Sequence, residues 1–477
     1  MSDKRSFASA FSALIGVLSR ASNQIAALGV VVVAARFLGP SDFGVFAIAS
    51  AFVTFVRATL YSGAYEYLLK TTDPADAAEC LVVNAGLAIA LTLCLLLLST
   101  IAGGVFGSPA VGWLLAVMAP SNLISAFVAW QEAQVLRRNQ IRAYYGMTTS
   151  VEIVSAIVAI ALLLLGAGLG ALAAQIYTRA TLSAVGYVFV LRTGISLSIR
   201  PDVVRKIAKW SFSRYGSVSV TYVYQYAADI LLGAFLAPAA AGLYRAASRI
   251  VTAVSDLFAQ PAGLFGTTLF SARAASGRLS GDLWPQLLTA SAFIGWSVLA
   301  GLGAASKAFV LVFLGPQWAA AAAIMPIFCI ARAAQILVSV TIPLLVAYDR
   351  NTPILIVQSA ASVLLIAALC VTAPFGVEAA ALTVTVLSLM TTTAYMGLAV
   401  QLHPGAQRSL LQNLPLVLLP VAGTAAASAL AQKLLSGWGM AGISVVLLTT
   451  IAGALVWGGF LLLFRSRIAQ VFAVLNA

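Results

Sequence analysis

The chain has 477 residues, 61% of them hydrophobic and only 9% charged, with 27 Lys and Arg against 14 Asp and Glu for a net charge of +13. An ordinary soluble domain carries about a quarter charged residues, so a water-soluble globular protein is excluded. A single histidine and four scattered cysteines without a CxxC pairing exclude a histidine triad and a zinc or disulfide framework. No cofactor, metal ligand or catalytic residue is expected, and the chain reads as a non-enzyme.

Apolar segments follow one another along the chain, at roughly 10–35, 43–68, 78–102, 109–135, 143–166, 168–191, 207–236, 239–266, 282–304, 317–347, 353–373, 376–401, 410–434 and 440–464. Each is about 20 residues or longer, enough for a helix to cross about 30 Å of hydrocarbon. The spacing therefore predicts an all-α integral membrane protein of about 14 transmembrane helices. The first segment has no small-residue cleavage site after a short apolar core, so it reads as a retained helix. Turns are signalled by Gly and Pro, as in "LLGAGLGAL" and "TAPFGVEA".

Basic residues between the spans set the orientation. With the N-terminus in the cytoplasm, the cytoplasmic side receives Lys4, Arg5, Lys70, Arg137, Arg138, Arg142, Arg192, Arg200, Arg205, Lys206, Lys209, Arg273, Arg278, Arg350, Arg408, Arg465 and Arg467. The opposite side receives only Arg36, Lys307 and Lys433. This bias puts both termini in the cytoplasm and favours an even number of spans. The positive charge is then a topology signal, and no nucleic-acid partner is implied.

A repeat underlies the spans. "FLGPSDFGVFAIA" at Phe37–Ala49 and "FLAPAAAGLYRAA" at Phe235–Ala247 share F-L-x-P-x-x-x-G followed by an aliphatic and an aromatic residue. "GALAAQI" at Gly170–Ile176 pairs with "GVEAAAL" at Gly376–Leu382 at a similar offset. A repeat of six spans has an even count, so both copies point the same way and are related by a pseudo-two-fold axis along the membrane normal. The expected domains are a six-helix bundle at 1–192, a cytoplasmic linker at 193–206, a second six-helix bundle at 207–403 and two additional C-terminal helices at 404–477.

The remaining seven basic residues lie inside spans, and all are arginine: Arg20, Arg57, Arg179, Arg214, Arg245, Arg249 and Arg332. Each is costly in lipid, roughly 2.5 kcal/mol or more. They fall along polar stripes. Arg20 precedes Asn23 and Gln24, and Arg57 precedes Tyr61 and Tyr65 at i+4 steps. Tyr215, Ser219, Tyr222, Tyr226 and Asp229 follow a 4-3-4-3 spacing, Arg245, Arg249 and Asp256 share one face, and Arg332 precedes Gln335 and Ser339. One reading pairs these charges off between helices, with Glu66, Glu132, Glu152, Asp229 and Asp256 as the acids at hand. The other has the stripes line a wet, net-positive cavity between the two halves, where guanidinium forks hold phosphate. On that reading the substrate-binding residues are Arg20, Asn23, Arg57, Tyr222, Tyr226, Asp229, Arg245, Arg249, Asp256 and Arg332.

"RFLGPSDFGVFAIASAFV" resembles the R-x-L-G-P-x-x-[FY]-G-x-[FY] signature of polysaccharide transporters of the MOP superfamily, the Wzx-like flippases for lipid-linked oligosaccharides. "DILLGAFLAPAAAGLYRAASRI" resembles their D-x-L-L-G-x-[FL] and G-x-Y-x-x-A-x-R motifs, and "LGPQWAAAAAIMPIF" their G-x-x-[YW]-x-x-A motif. The resemblance runs from residue 10 to about 400. It implies flipping of a glycan on undecaprenyl diphosphate across the bacterial inner membrane, with Arg20, Arg57 and Arg249 at the diphosphate. It also implies export of an exopolysaccharide, capsule or O-antigen by a monomer, beside a polysaccharide polymerase and a chain-length regulator. Two rivals differ in what they need. A multidrug or cation antiporter of the same superfamily wants acids to dominate its cavity. A glycan polymerase or ligase wants a large periplasmic loop with catalytic residues.

Overall fold

In a computed structural model, residues 2–71, 73, 76–191, 199–276, 282–438, 440 and 442–476 are described. They form helices α1 (Ser2–Phe37), α2 (Pro40–Leu60), α3 (Ala64–Lys70), α4 (Asp76–Val105), α5 (Pro109–Met118), α6 (Ser121–Arg137), α7 (Ile141–Leu164), α8 (Leu169–Leu191) and α9 (Pro201–Phe235). These are followed by α10 (Pro238–Ala275), α11 (Leu283–Ala304), α12 (Ser306–Phe313), α13 (Ala319–Ala347), α14 (Asn351–Thr372), α15 (Val377–Leu402), α16 (Ala406–Gly437), α17 (Ile443–Leu463) and α18 (Arg465–Asn476). Short 3-10 turns at Pro316–Trp318 and Ala373–Phe375 precede α13 and α15. Among the described residues there is no strand. Among the described residues ten segments are long and apolar enough to cross a membrane, so this is a multi-pass membrane protein.

Some expected spans are broken. The second is α2 followed by α3, with Gly63 at φ +55 between them. The fourth is α5 followed by α6, parted at Ala119 and Pro120. Both copies of the F-L-x-P motif start a helix, Pro40 opening α2 and Pro238 opening α10, where a missing N–H leaves no bond unmade. The second repeated pair also marks helix starts, Gly170 in the first turn of α8 and Gly376 (φ +115) just before α15.

By packing, the chain divides into two compact units, Met1–Arg245 and Ala246–Ala477. The first includes α9, which packs on α2, α3 and α4, although the repeat counts α9 with the second copy. Packing and repeat thus divide the chain at different places, and residues 193–198 of the expected linker lie outside the described residues. Within this unit α2–α3 and α5–α6 are mostly buried, while α4 and α7 turn most of their residues outward. On α4 the outward row is Ile89, Leu93, Leu97 and Ile101, all more than half exposed. An exposed i+4 row of aliphatics is a lipid-facing surface. Carbonyls tie the inner helices together: Trp130 Nε1 donates to Ala77 at 2.6 Å, Asn84 Nδ2 to Ala126 at 3.0 Å and Gln131 Nε2 to Ala184 at 3.1 Å.

In the second unit α11 is packed between α13 and α16, with α15 on α13 and α17 on α16. Trp284 is buried in the core with Leu288, Val340, Leu344 and Tyr395, and its Nε1 donates to Thr341 at 3.3 Å. Trp296 Nε1 donates to the Ala333 carbonyl at 2.8 Å. Each indole thus places its polar N–H on a partner, with the Trp284 ring buried and the Trp296 ring half-buried.

Candidate functional site

The site of the first unit is built on α9. Asp229 is only 1% exposed and accepts a hydrogen bond from Arg245 Nη1 at 2.9 Å. The Arg245 guanidinium also lies 4.7 Å over the Tyr226 ring, a cation–π contact that strengthens when desolvated. Tyr226 stacks on Tyr222 at 5.9 Å and 13°, as the i+4 spacing on one helix face allows. Tyr226 is buried and Tyr222 half-buried. Arg57 of α2 reaches this stack electrostatically at Tyr222, and Tyr61 on its own chain segment. Among the described residues no carboxylate lies within ion-pair distance of Arg57. On α1, Asn23 Oδ1 and Gln24 Oε1 are buried and without a donor among the described residues. The Arg20 side chain lies outside the described residues.

In the second unit Arg332 of α13 binds Asp256 of α10 at 2.5 Å, and Gln260 Nε2 donates to the other carboxylate oxygen at 3.3 Å. Arg249 is half-buried on the same helix as Asp256. The second unit also holds a cavity of about 750 Å³ between α11, α13, α15 and α16. Its walls are almost wholly apolar, with Trp296, Leu299, Ile330, Leu389, Met396 and Leu418 among them.

Among the described residues, embedded arginines pair with acids: Arg179 with Glu152 at 2.6 Å, Arg214 with Glu66 at 2.5 Å, Arg245 with Asp229, and Arg332 with Asp256. The charge of Arg245 is met by a buried acid one helix back, as the reading that pairs the charges between helices expects. A guanidinium in a low-dielectric layer needs such a partner. The tyrosine stripe also divides. Tyr215 does not continue the stack: its hydroxyl accepts from Ala64 N–H at 3.3 Å, and its ring fills the space where a Cβ on Gly63 would sit.

Two groupings escaped sequence reasoning. Glu132 gathers tyrosines from several helices, for which only the Tyr61–Tyr65 spacing gives any signal. Arg200 binds Glu79 at 2.7 Å and Asp76 at 3.0 Å, tying the start of α9 to α4. Arg200 lies outside the spans, and its bond to Glu79 raises its already high pKa.

A family described as polysaccharide biosynthesis protein matches residues 33–323, well over half of the chain. The chain belongs to that family. All three motifs of the MOP-superfamily resemblance begin within the matched residues. The succinoglycan biosynthesis transport protein ExoT of Rhizobium meliloti (strain 1021) is 26% identical over 309 residues, which cover 62% of this chain and 61% of that protein. The alignment thus spans less than two thirds of the relative's own length. Among solved structures, the lipid II flippase MurJ in an inward closed conformation superposes with a TM-score of 0.76 at 14% identity, over 96% of this chain and 99% of that one. An inward-facing multidrug resistance MATE family transporter of the MOP superfamily superposes with a TM-score of 0.59 at 11% identity, over 82% of this chain and 99% of that one. At these identities the likeness establishes the fold the family member adopts.

Proposed function

We propose that this protein flips an oligosaccharide linked to a polyprenyl diphosphate from the cytoplasmic to the outer leaflet of the bacterial inner membrane, by alternating access, for export of a polysaccharide. Membership in the polysaccharide biosynthesis family carries this reading. Arg57 supports it, because a guanidinium near mid-span with no carboxylate within ion-pair distance among the described residues suits an anionic ligand such as diphosphate. The Tyr222–Tyr226 stack and the donor-less oxygens of Asn23 and Gln24 suit sugar rings and hydroxyls. The 750 Å³ apolar cavity of the second unit suits an isoprenoid tail. Arg249, Asp256 and Arg332 remain the second unit's substrate-binding residues.

On this reading the chain crosses the membrane fourteen times, as ten apolar segments with α1, α8, α9 and α10 as the other four. Two six-span repeats share one orientation, both termini are cytoplasmic, and the protein makes no covalent bond to its cargo. It works as a monomer beside a polymerase and a chain-length regulator. The test is reconstitution of the full chain in liposomes with a polyprenyl-diphosphate oligosaccharide, followed by exposure to an impermeant glycan-cleaving enzyme. Glycan should become accessible only with the protein present and should stay protected when Arg57→Ala is used. Equal accessibility in empty liposomes and in those with the wild-type protein would overturn the reading.

A further inference from the structure

Asp229 and Asp256 are each held by an arginine. A different acid in the first unit has only hydroxyl partners. Glu132 of α6 is half-buried; Tyr65 of α3 donates to its Oε1 at 3.4 Å, the Tyr61 ring packs against that of Tyr65 at 5.5 Å, and Tyr61 and Tyr144 both lie beside the carboxylate. Tyr187 of α8, 2% exposed, closes another side.

The charged groups on the surrounding helices are engaged elsewhere or exposed. On α2, Arg57 acts on Tyr61 and not on the carboxylate. On α3, Glu66 binds Arg214 and Lys70 is exposed. On α4, Asp76 and Glu79 bind Arg200, and Cys80 lies within reach of Arg137 from α6 itself. On α7 and α8, Glu152 and Arg179 bind each other, and Arg138 and Arg142 at the α6–α7 turn are exposed. Among the described residues Glu132 has no cation within ion-pair distance.

We propose that Glu132 is a proton-binding site, its carboxylate taking up one proton from water and releasing it again during transport, with the surrounding phenols re-aiming their hydroxyls between the two states. The chemistry of the partners carries this. An ionised carboxylate only accepts, while a carboxylic acid must also donate, and a phenol can do either. The phenol of Tyr65, with those of Tyr61 and Tyr144 beside it, can therefore serve both states, which an arginine cannot. A sodium ion would need several oxygen lone pairs aimed at it at once, whereas these phenols spend their O–H bonds on the carboxylate. Tyr61 and Tyr65 sit on either side of the break at Ser62–Gly63, so a change in their hydrogen bonding acts where the α2–α3 span is jointed. From there Glu66 of α3 reaches α9 through Arg214, the helix that carries Tyr222 and Asp229. The proton site stands on its own geometry; its part in transport rests on the flippase reading.

The full-length protein in liposomes should show a protonated-carboxyl band in infrared difference spectra when the bath is stepped from alkaline to acid. That band should be lost in Glu132→Gln, which mimics the protonated acid in shape, and shifted but kept in Glu132→Asp. A band unchanged in Glu132→Gln, or no band in the wild type, would overturn the site. In the flipping assay an imposed pH gradient should change the wild-type rate and leave the Glu132→Gln rate unchanged. A wild-type rate indifferent to the gradient, with the band present, would overturn the coupling and leave the flippase reading standing. No flipping by the wild type, with the band still lost in Glu132→Gln, would overturn the flippase reading and leave the proton site standing.

Discussion

Gly44 and Gly242 meet reciprocally. A Cβ on Gly44 would be driven into the Pro238 carbonyl and toward the Gly242 nitrogen, and one on Gly242 would be driven into the Pro40 carbonyl and toward the Gly44 nitrogen. These are the proline and glycine of the two F-L-x-P-x-x-x-G copies, so the repeated motif packs against itself. Proline starts each helix and glycine four residues on lets the two backbones touch, as small residues do at membrane helix crossings. Gly44→Ala and Gly242→Ala should each destabilise the protein by about 1–3 kcal/mol through overpacking. Gly29→Ala and Gly86→Ala, whose Cβ positions meet nothing within 4 Å, should not. Thermal unfolding of the four variants in detergent checks this, and equal midpoints would remove the crossing as a structural element.

The Arg245–Asp229 pair should be costly to break from one side. Asp229→Ala leaves a guanidinium without its carboxylate beside an aromatic ring, and loss of one partner of a buried pair costs about 3–5 kcal/mol. The double variant Asp229→Ala/Arg245→Ala should recover part of that loss, since it removes both charges. Unfolding midpoints for the two singles and the double decide it; an additive double would mean the two residues act independently.

Arg57 should behave in the opposite way. With no carboxylate to abandon, Arg57→Ala should leave the unfolding midpoint near the wild type while lowering flipping about tenfold or more, the scale of one charge-assisted hydrogen bond. Arg57→Lys should restore transport only in part, because an ammonium lacks the bidentate fork. A drop in stability matching the drop in transport would assign Arg57 to packing.

Tyr222 and Tyr226 should separate by role. Tyr222 is half-buried, and on the flippase reading its open side meets the sugar, so Tyr222→Ala should reduce transport more than Tyr222→Phe, which keeps the ring. Tyr226→Ala also removes the ring under Arg245 and should lower stability as well. Flipping rate and unfolding midpoint, measured on the same preparations, distinguish the two.

His403 sets a dependence on acid. It caps α15 outside the spans and shares a 2.8 Å hydrogen bond with Tyr348; burial holds its pKa below 6.5, with Asp282 pulling the other way. The unfolded chain therefore takes up a proton here before the folded one does. Stability from this site is present above about pH 6.5 and falls as the pH drops below it. His403→Gln should flatten the acid side of the curve of unfolding midpoint against pH.

Much of the architecture is local and so is written in the sequence. Runs such as "LAIALTLCLLLLSTIAGG" must be helical because a backbone in hydrocarbon has to satisfy its own hydrogen bonds. The F-L-x-P-x-x-x-G copies mark helix starts through proline and glycine, whose effects need no distant partner. The Tyr222–Tyr226 stack was legible as a stripe on a predicted face, and pairing of the arginines with acids was one of the two readings the stripes left open. Tertiary structure alone decided which acid each arginine meets: Asp229 for Arg245, 16 residues away, but Asp256 for Arg332, 76 away, and Glu66 for Arg214, 148 away. It alone broke the second span at Gly63, and it alone brought Tyr61, Tyr65 and Tyr144 to Glu132. Periodicity says which residues share a face of one helix. It does not say how that helix is turned toward its neighbours, and in a low-dielectric layer that rotation decides whether a charge is neutralised, left open for a ligand, or caged by hydroxyls.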